Sequence, residues 1–288
     1  MVLAAAGTDQ CVSEGGVNDP FRIEGPALIS FSGGRTSAMM LYRIVQAHGG
    51  QLPPDVVAVF ANTGKEAEET LMFVRDCGER WGVPIVWLEY QDADAVPDRW
   101  KIVTFDSAAR NGEPFAALIG RKKAVPNPVQ RWCTQELKIR PMDKYAERLG
   151  WDDYDVVLGL RADEPSRLAK MRGTNRVMPL ATAGITKRDV QAFWKAQNFN
   201  LGLPTVNGTT PAGNCDLCYL KGVATTQGLI RANPELADWW IEQERRVGAT
   251  FHKDRPSYAA LKDAVERQQE FDFGDDSQLI DCFCGEAA

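Results

Sequence analysis

Short apolar runs rich in β-branched residues recur along the first two thirds of the chain, at residues 27–31, 56–60, 85–88 and 156–160, with a weaker run at 176–180. Between the first three lie stretches whose apolar positions recur every three or four residues, at 37–46 and 66–81, and a similar stretch at 136–149 precedes the fourth. Period-2 runs alternating with helical periods predict βαβ units, right-handed crossovers and a parallel sheet covered by helices on both faces. The fold class expected is therefore α/β, a doubly wound, Rossmann-like parallel sheet. A ligand is expected at the carboxyl ends of its strands.

Residues 92–130 show little periodicity, which predicts a long functional loop or a small insertion. Beyond residue 184 the pattern changes. Residues 186–197 and 234–247 read as helices and no further strand series follows. The chain thus divides into a loose tail (1–24), a nucleotide-binding α/β domain (25–183) and a mainly helical region (184–288). Its 288 residues are compatible with one large domain and an appendage, against about 100–200 residues per domain.

No apolar run approaches the ~18 residues that cross a bilayer, and the first residues carry no basic n-region. A soluble, cytoplasmic protein with no membrane partner is expected. Lys and Arg number 33 against 39 Asp and Glu, a formal charge of −6. That balance argues against a protein that coats nucleic acid non-specifically.

The first strand stops at Ser32-Gly33-Gly34-Arg35-Thr36-Ser37, and a helical pattern begins at once. A glycine pair lets backbone approach a ligand closely, and a helix start offers unpaired N–H groups and a favourable dipole. The six residues read as a phosphate or pyrophosphate cradle, with Gly34 expected to tolerate no β-branched side chain. The spacing is neither that of the P-loop nor Gly-x-Gly-x-x-Gly. A plain strand-to-helix turn is the competing reading.

Seven cysteines in an expected cytoplasmic chain point to metal or redox chemistry before disulfides. Cys215 and Cys218 form a Cys-x-x-Cys knuckle between Gly213 and Gly222, and Cys282 and Cys284 lie near the C-terminus. Two thiolates do not complete a metal site. Four without histidine suit a [4Fe-4S] cluster or Zn²⁺, and spacing leaves both open. Cys77 falls on the apolar side of its helical pattern and reads as a small core residue, while Cys11 belongs to the tail.

The cradle resembles the PP-loop, Ser-Gly-Gly-x-Asp-Ser, of the ATP pyrophosphatase superfamily, and within it the phosphoadenosine phosphosulfate (PAPS) reductase-like branch. Thr36 stands where that motif has Asp. Asn62-Thr63-Gly64-Lys65-Glu66, followed by Thr70, is similar to the branch's second-strand motif. Cys133 to Pro141 resembles its Cys-x-x-x-Leu-Lys-x-x-Pro motif, and Gly159 to Glu164 its Gly-x-Arg-x-x-Glu pattern. The resemblance covers most of residues 27–221.

This resemblance implies an adenine nucleotide alpha hydrolase type of fold. It also implies an adenine nucleotide, with Mg²⁺, held by Ser32, Gly33, Gly34, Arg35, Thr36 and Ser37, and by Asn62, Thr63 and Gly64. Lys138 and Arg140 stand where a phosphate or sulfate needs a partner. Arg161 is a second anion contact, since a guanidinium can grip an oxyanion with two donors; a salt bridge to Asp163 or Glu164 is its alternative. Cys133 would join Cys215 and Cys218, with Cys284 or Cys282 as the fourth ligand, and the resemblance favours [4Fe-4S] over zinc.

The implied function is an adenine-nucleotide enzyme of sulfur metabolism, assisted by the cluster. In one form ATP adenylylates an acceptor oxygen and sulfur is then transferred, with a nucleic acid as a candidate acceptor and a sulfur or electron donor protein as partner. In the other, a sulfonucleotide reductase, a thiolate attacks the sulfur of adenylyl sulfate or its 3′-phosphorylated relative. Cys284-Gly285 resembles the Glu-Cys-Gly-Leu-His tail of those reductases, without its Leu-His, which makes Cys284 a candidate nucleophile as well as a ligand. A non-catalytic nucleotide or iron–sulfur sensor is the reading from another class. Local basic clusters at Arg121, Lys122, Lys123 and Arg131, and at Arg167, Lys170, Arg172 and Arg176, could face an acceptor or simply be solvated.

Overall fold

The structure, a computed structural model, describes residues 19–92 and 98–267. Its elements follow in chain order as β1 (Ala27–Ser30), α1 (Arg35–Ala47), β2 (Val56–Asn62), α2 (Glu68–Trp81), β3 (Ile85–Tyr90), β4 (Trp100–Val103), α3 (Glu113–Lys122) and α4 (Trp132–Thr134). A π-helical turn, Gln135–Ile139, leads into α5 (Arg140–Arg148), β5 (Asp155–Leu158), α6 (Pro165–Lys170), β6 (Arg176–Val177), α7 (Pro179–Thr182) and α8 (Lys187–Ala196). The last three are α9 (Val223–Ala232), α10 (Leu236–Val247) and α11 (Tyr258–Glu266).

The six strands form one sheet in the order β4-β3-β2-β1-β5-β6. All neighbours are parallel except β3 and β4. The fold is thus the mixed α/β, Rossmann-like class that the alternating pattern predicts. From β1 the chain steps outward to β2 and β3, then returns to place β5 on the other side of β1. The strand order reverses between β1 and β5, where Ser30 pairs with Leu158. The loops leaving those two strands diverge to opposite faces and leave a crevice between them.

Alternation along β1 sorts its side chains between the faces. Ala27 and Ile29 pack with Met40, Leu41 and Ile44 of α1 and with Phe73, Val74 and Cys77 of α2. Leu28 faces the other way, onto Met142 and Ala146 of α5. Cys77 is wholly buried, and desolvation pushes its thiol pKa far up, so it stays a neutral core residue.

Two regions differ from the pattern-based expectation. Residues 92–130 are not one long loop, because they contain β4 and α3. The weak run at 176–180 yields only the two-residue β6 before α7 begins at Pro179. The chain beyond residue 184 contains helices α8 to α11, with a non-helical stretch over residues 197–222, and its helices pack in two places. Val190 and Trp194 of α8 join the α1–α2 core. Helices α9, α10 and α11 form a second core with α3, in which Trp240 and Phe251 are buried.

Candidate functional site

A cleft of about 670 Å³ opens at the switch point. Its floor is the loop from Ser32 to Ser37, and Leu158, Gly159, Leu160 and Arg161 form the wall after β5. Gly34 is the N-cap of α1, no side chain caps the first turn, and no acidic residue occupies it. The amide donors of that turn and the positive end of the helix dipole therefore face the cleft without a protein anion.

The loop is braced from within. The Ser37 hydroxyl accepts from the Ser32 amide at 3.2 Å, donates to the Gly34 carbonyl at 3.0 Å and lies 2.9 Å from the Ser32 hydroxyl. Gly33 has φ +75°, and a Cβ there would lie 2.7 Å from Thr70 Cγ2. Gly34 has φ −96°, and a Cβ would meet only Ser32 Oγ at 3.6 Å. The demanding glycine is therefore Gly33, not Gly34 as the sequence pattern suggested. Gly159 is also tightly placed, since a Cβ there would lie 3.0 Å from Ser37 Cα.

Thr70, from the first turn of α2, also lines the cleft. It is 3% exposed, yet its hydroxyl has no hydrogen-bond partner among the described residues. A buried hydroxyl left unmatched costs roughly 1–3 kcal/mol.

Five cationic residues line the cleft, Arg35, Arg161, Arg167, Lys187 and Lys195, and none of its described lining residues is Asp or Glu. Arg161 donates from Nε to Asp163 Oδ1 at 2.8 Å, and its Nη1 lies 3.5 Å from both Glu164 Oε2 and Thr36 Oγ1. It therefore makes the salt bridges that were its alternative reading and also faces the loop across the cleft. Arg167 pairs with Glu164. Arg35 turns its side chain outward and ties down the segment from Asn200 to Thr210, while desolvation lowers its pKa. Only its backbone remains with the cradle.

The residues after β2 have a different place. Asn62 is fully buried, donating to Glu89 Oε1 at 2.6 Å and to the Ala109 carbonyl at 2.8 Å, and accepting from the Gly64 amide at 3.1 Å. Glu66 accepts from the Thr63 amide and hydroxyl at 2.9 and 2.8 Å. Its other oxygen lies 3.6 Å from Lys138 Nζ, beyond hydrogen-bond range. Asn62, Thr63, Gly64 and Lys138 do not line the cleft, and Arg140 pairs with Glu136 at 3.2 Å instead. Thr63, Lys65 and Glu66 form the seat on which the cysteine knuckle rests.

That seat is specific. Glu66 and Cys215 form a β-bridge, Cys215 Sγ lies 3.5 Å from Thr63 Oγ1, and the Asp216 amide donates to the Lys65 carbonyl at 2.7 Å. Lys65 and Asp216 form a buried ion pair at 2.8 Å, and Trp240 Nε1 donates to the same carboxylate at 2.8 Å. Cys133, Cys215 and Cys218 belong to one side-chain cluster, and Cys133 Sγ lies 3.3 Å from the Tyr219 hydroxyl. Among the described residues no three His, Cys, Asp or Glu form a metal-binding group. Cys284, Cys282 and Cys11 lie outside the described residues.

The knuckle adjoins the cleft. Gly213 and Asn214 line it, and Cys215 is the next residue. Pattern reading missed the outer wall, made by Lys187, Gln191 and Lys195 of α8 and by Thr205, Thr209 and Thr210. The single local signal there is Asn207-Gly208, a turn pair with φ +49° and +72°.

No family model matches the chain. It is 29% identical over 290 residues to the uncharacterized nin region protein ORF290 of Escherichia phage lambda, a likeness spanning 90% of this chain and 96% of that protein. It is also 28% identical over 155 residues to the uncharacterized protein MJ0066 of Methanocaldococcus jannaschii, covering 54% of this chain but 27% of the archaeal one. The likeness to the phage protein thus runs through the sheet, the cleft and the cysteine knuckle alike.

Proposed function

We propose that the chain is a PP-loop, PAPS reductase-like enzyme that binds an adenine nucleotide in the switch-point cleft and uses it for sulfur transfer. The observation that carries the nucleotide reading is the cleft's polarity: a glycine loop and an uncapped helix start, the cationic side chains of Arg161 and Arg167, and no carboxylate among the described lining residues. A phosphate chain fits that donor set, and Thr70 supplies a further hydroxyl.

The loop and the first turn of α1 hold the phosphates, and Arg161 neutralises charge on the departing group. An acceptor oxygen attacks the α-phosphorus, the bond to the bridging oxygen of the β-phosphate breaks, and pyrophosphate leaves. A sulfur nucleophile delivered by a donor protein then displaces AMP from the activated acceptor. Support for sulfur as the second reactant is the placement of Cys215 directly after the cleft wall, with Cys133 and Cys218 in its cluster.

Those three thiols and Cys284 are the residues that would hold a [4Fe-4S] cluster. An all-thiol donor set suits it in kind, and bound, it would supply an iron site for sulfur. The test is to purify the chain anaerobically, analyse iron and acid-labile sulfide, and incubate it with ATP and Mg²⁺, water taking the place of the acceptor oxygen at the α-phosphorus. Equal yields of AMP and pyrophosphate, lost in Arg161→Gln, are expected. ADP and orthophosphate as products, or turnover indifferent to Arg161, would contradict the reading.

A further inference from the structure

The threonines of the outer wall are turned into donors by the partners they have. Arg35 Nη1 donates to Thr205 Oγ1 at 2.9 Å and to Thr210 Oγ1 at 2.8 Å, and Lys187 Nζ donates to Thr209 Oγ1 at 3.1 Å. Guanidinium and ammonium groups have protons to give and no lone pair to accept with. Each threonine oxygen is thus occupied as an acceptor by a cation, and its own O–H is left to donate elsewhere. All three threonines line the cleft.

The local fold fixes this arrangement. Val206 and Thr209 pair through both backbone bonds, at 2.8 and 2.9 Å, across the Asn207-Gly208 turn. A Cβ on Gly208 would run into Gln191 and come within 2.6 Å of Lys187 Cε. The positive φ of Gly208 favours glycine there, and a Cβ would displace the ends of Gln191 and Lys187 from the wall. Arg35 adds Nε to Asn200 Oδ1 at 2.7 Å and Nη2 to the Leu203 carbonyl at 3.0 Å, so the wall is held from α1 at four points. Lys187 is further anchored, its amide donating to Asp163 Oδ2 at 3.1 Å.

We propose that Thr205, Thr209 and Thr210, with Lys187, form a second oxyanion subsite across the cleft from the glycine loop, taking a tetrahedral phosphate or sulfate group. This rests on the loop being the nucleotide's phosphate cradle, because only then does the outer wall serve a separate group. The group is either the far end of the bound nucleotide or part of a second, anionic substrate.

The test titrates inorganic sulfate into the full chain by calorimetry, with and without saturating ATP, for the wild type, Lys187→Gln and Thr209→Val. If a second substrate supplies the group, sulfate binds beside ATP. Each variant then weakens sulfate by about tenfold, the loss of one charge-assisted bond, with ATP affinity held within about threefold. If the nucleotide supplies it, ATP excludes sulfate and both variants weaken both ligands. Either pattern supports the subsite. Sulfate affinity unchanged in both variants overturns it, even if ATP binds well. Wild-type chain that binds sulfate, loses it in the variants and ignores ATP would leave an anion site at the outer wall and overturn the nucleotide reading on which its part as a second subsite rests.

Discussion

At the scale of single residues, the site depends on which atoms have partners. Gly33 combines a positive φ with a blocked Cβ direction, whereas Gly34 has neither constraint. Gly33→Ala is expected to cost about 1–3 kcal/mol and to distort the loop, while Gly34→Ala should shift the melting temperature little. Equal stability and equal ATP affinity in the two variants would sink the assignment. Sequence alone marked the glycine pair, but choosing between its members required Thr70 of α2, a contact that no local pattern encodes. Arg35 shows the same limit. Its neighbours in sequence place it in the cradle, and its side chain is claimed by residues 165 to 175 positions away.

At the scale of elements, α8 determines how well the cleft is framed. Trp194 is buried against Phe73 of α2, ring centroids 5.0 Å apart, and its Nε1 donates to the Arg35 carbonyl at 2.8 Å. Trp194→Ala should cost about 3–5 kcal/mol. Trp194→Phe keeps most of the packing and should cost only about 1 kcal/mol for the lost hydrogen bond, as read from denaturant midpoints. A second prediction concerns the knuckle. Lys65 and Asp216 are a buried pair, so Lys65→Met leaves a carboxylate without its cation and should destabilise by about 3–5 kcal/mol. Lys65→Met with Asp216→Asn should recover part of that loss, and failure to recover any would point to packing instead of charge.

The elements themselves were unequally legible. β1, β2, β3 and β5 are buried, β-branched runs, and their periods announce them. β4 is an edge strand whose two middle residues, Lys101 and Ile102, are exposed, so it shows no clean alternation. α3 hides its Phe115, Leu118 and Ile119 stripe between Pro114 and Gly120, two residues that read as breakers. What joins α3 to the rest is tertiary: Phe115 packs edge-on against Trp240 at 6.1 Å.

At the scale of the whole molecule, a chain of net charge −6 concentrates cations around one cleft at the reversal of its strand order, and carries its cysteine knuckle on the next turn of chain. Among the described residues no helix is long and apolar enough to cross a membrane. Other basic residues singled out by sequence are paired at the surface, Arg121 with Asp92 and Lys122 with Glu136, while Arg167 reaches the cleft. A parallel sheet with helices on both faces was implied by the alternating elements, and with it a ligand site at the carboxyl ends of the strands; the strand order was not. The outer wall was not, because it is assembled from α1, α8 and the segment before the knuckle.

The central claim is that this cleft binds the phosphates of a nucleotide. Calorimetric titration of the full chain with ATP, pyrophosphate and adenosine tests it most directly, with Arg161→Gln alongside. One-site binding of ATP, weaker binding of pyrophosphate, little binding of adenosine, and a loss of about tenfold in the variant for both phosphate ligands are expected. No measurable heat with either ATP or pyrophosphate, in protein shown to be folded, would contradict the account.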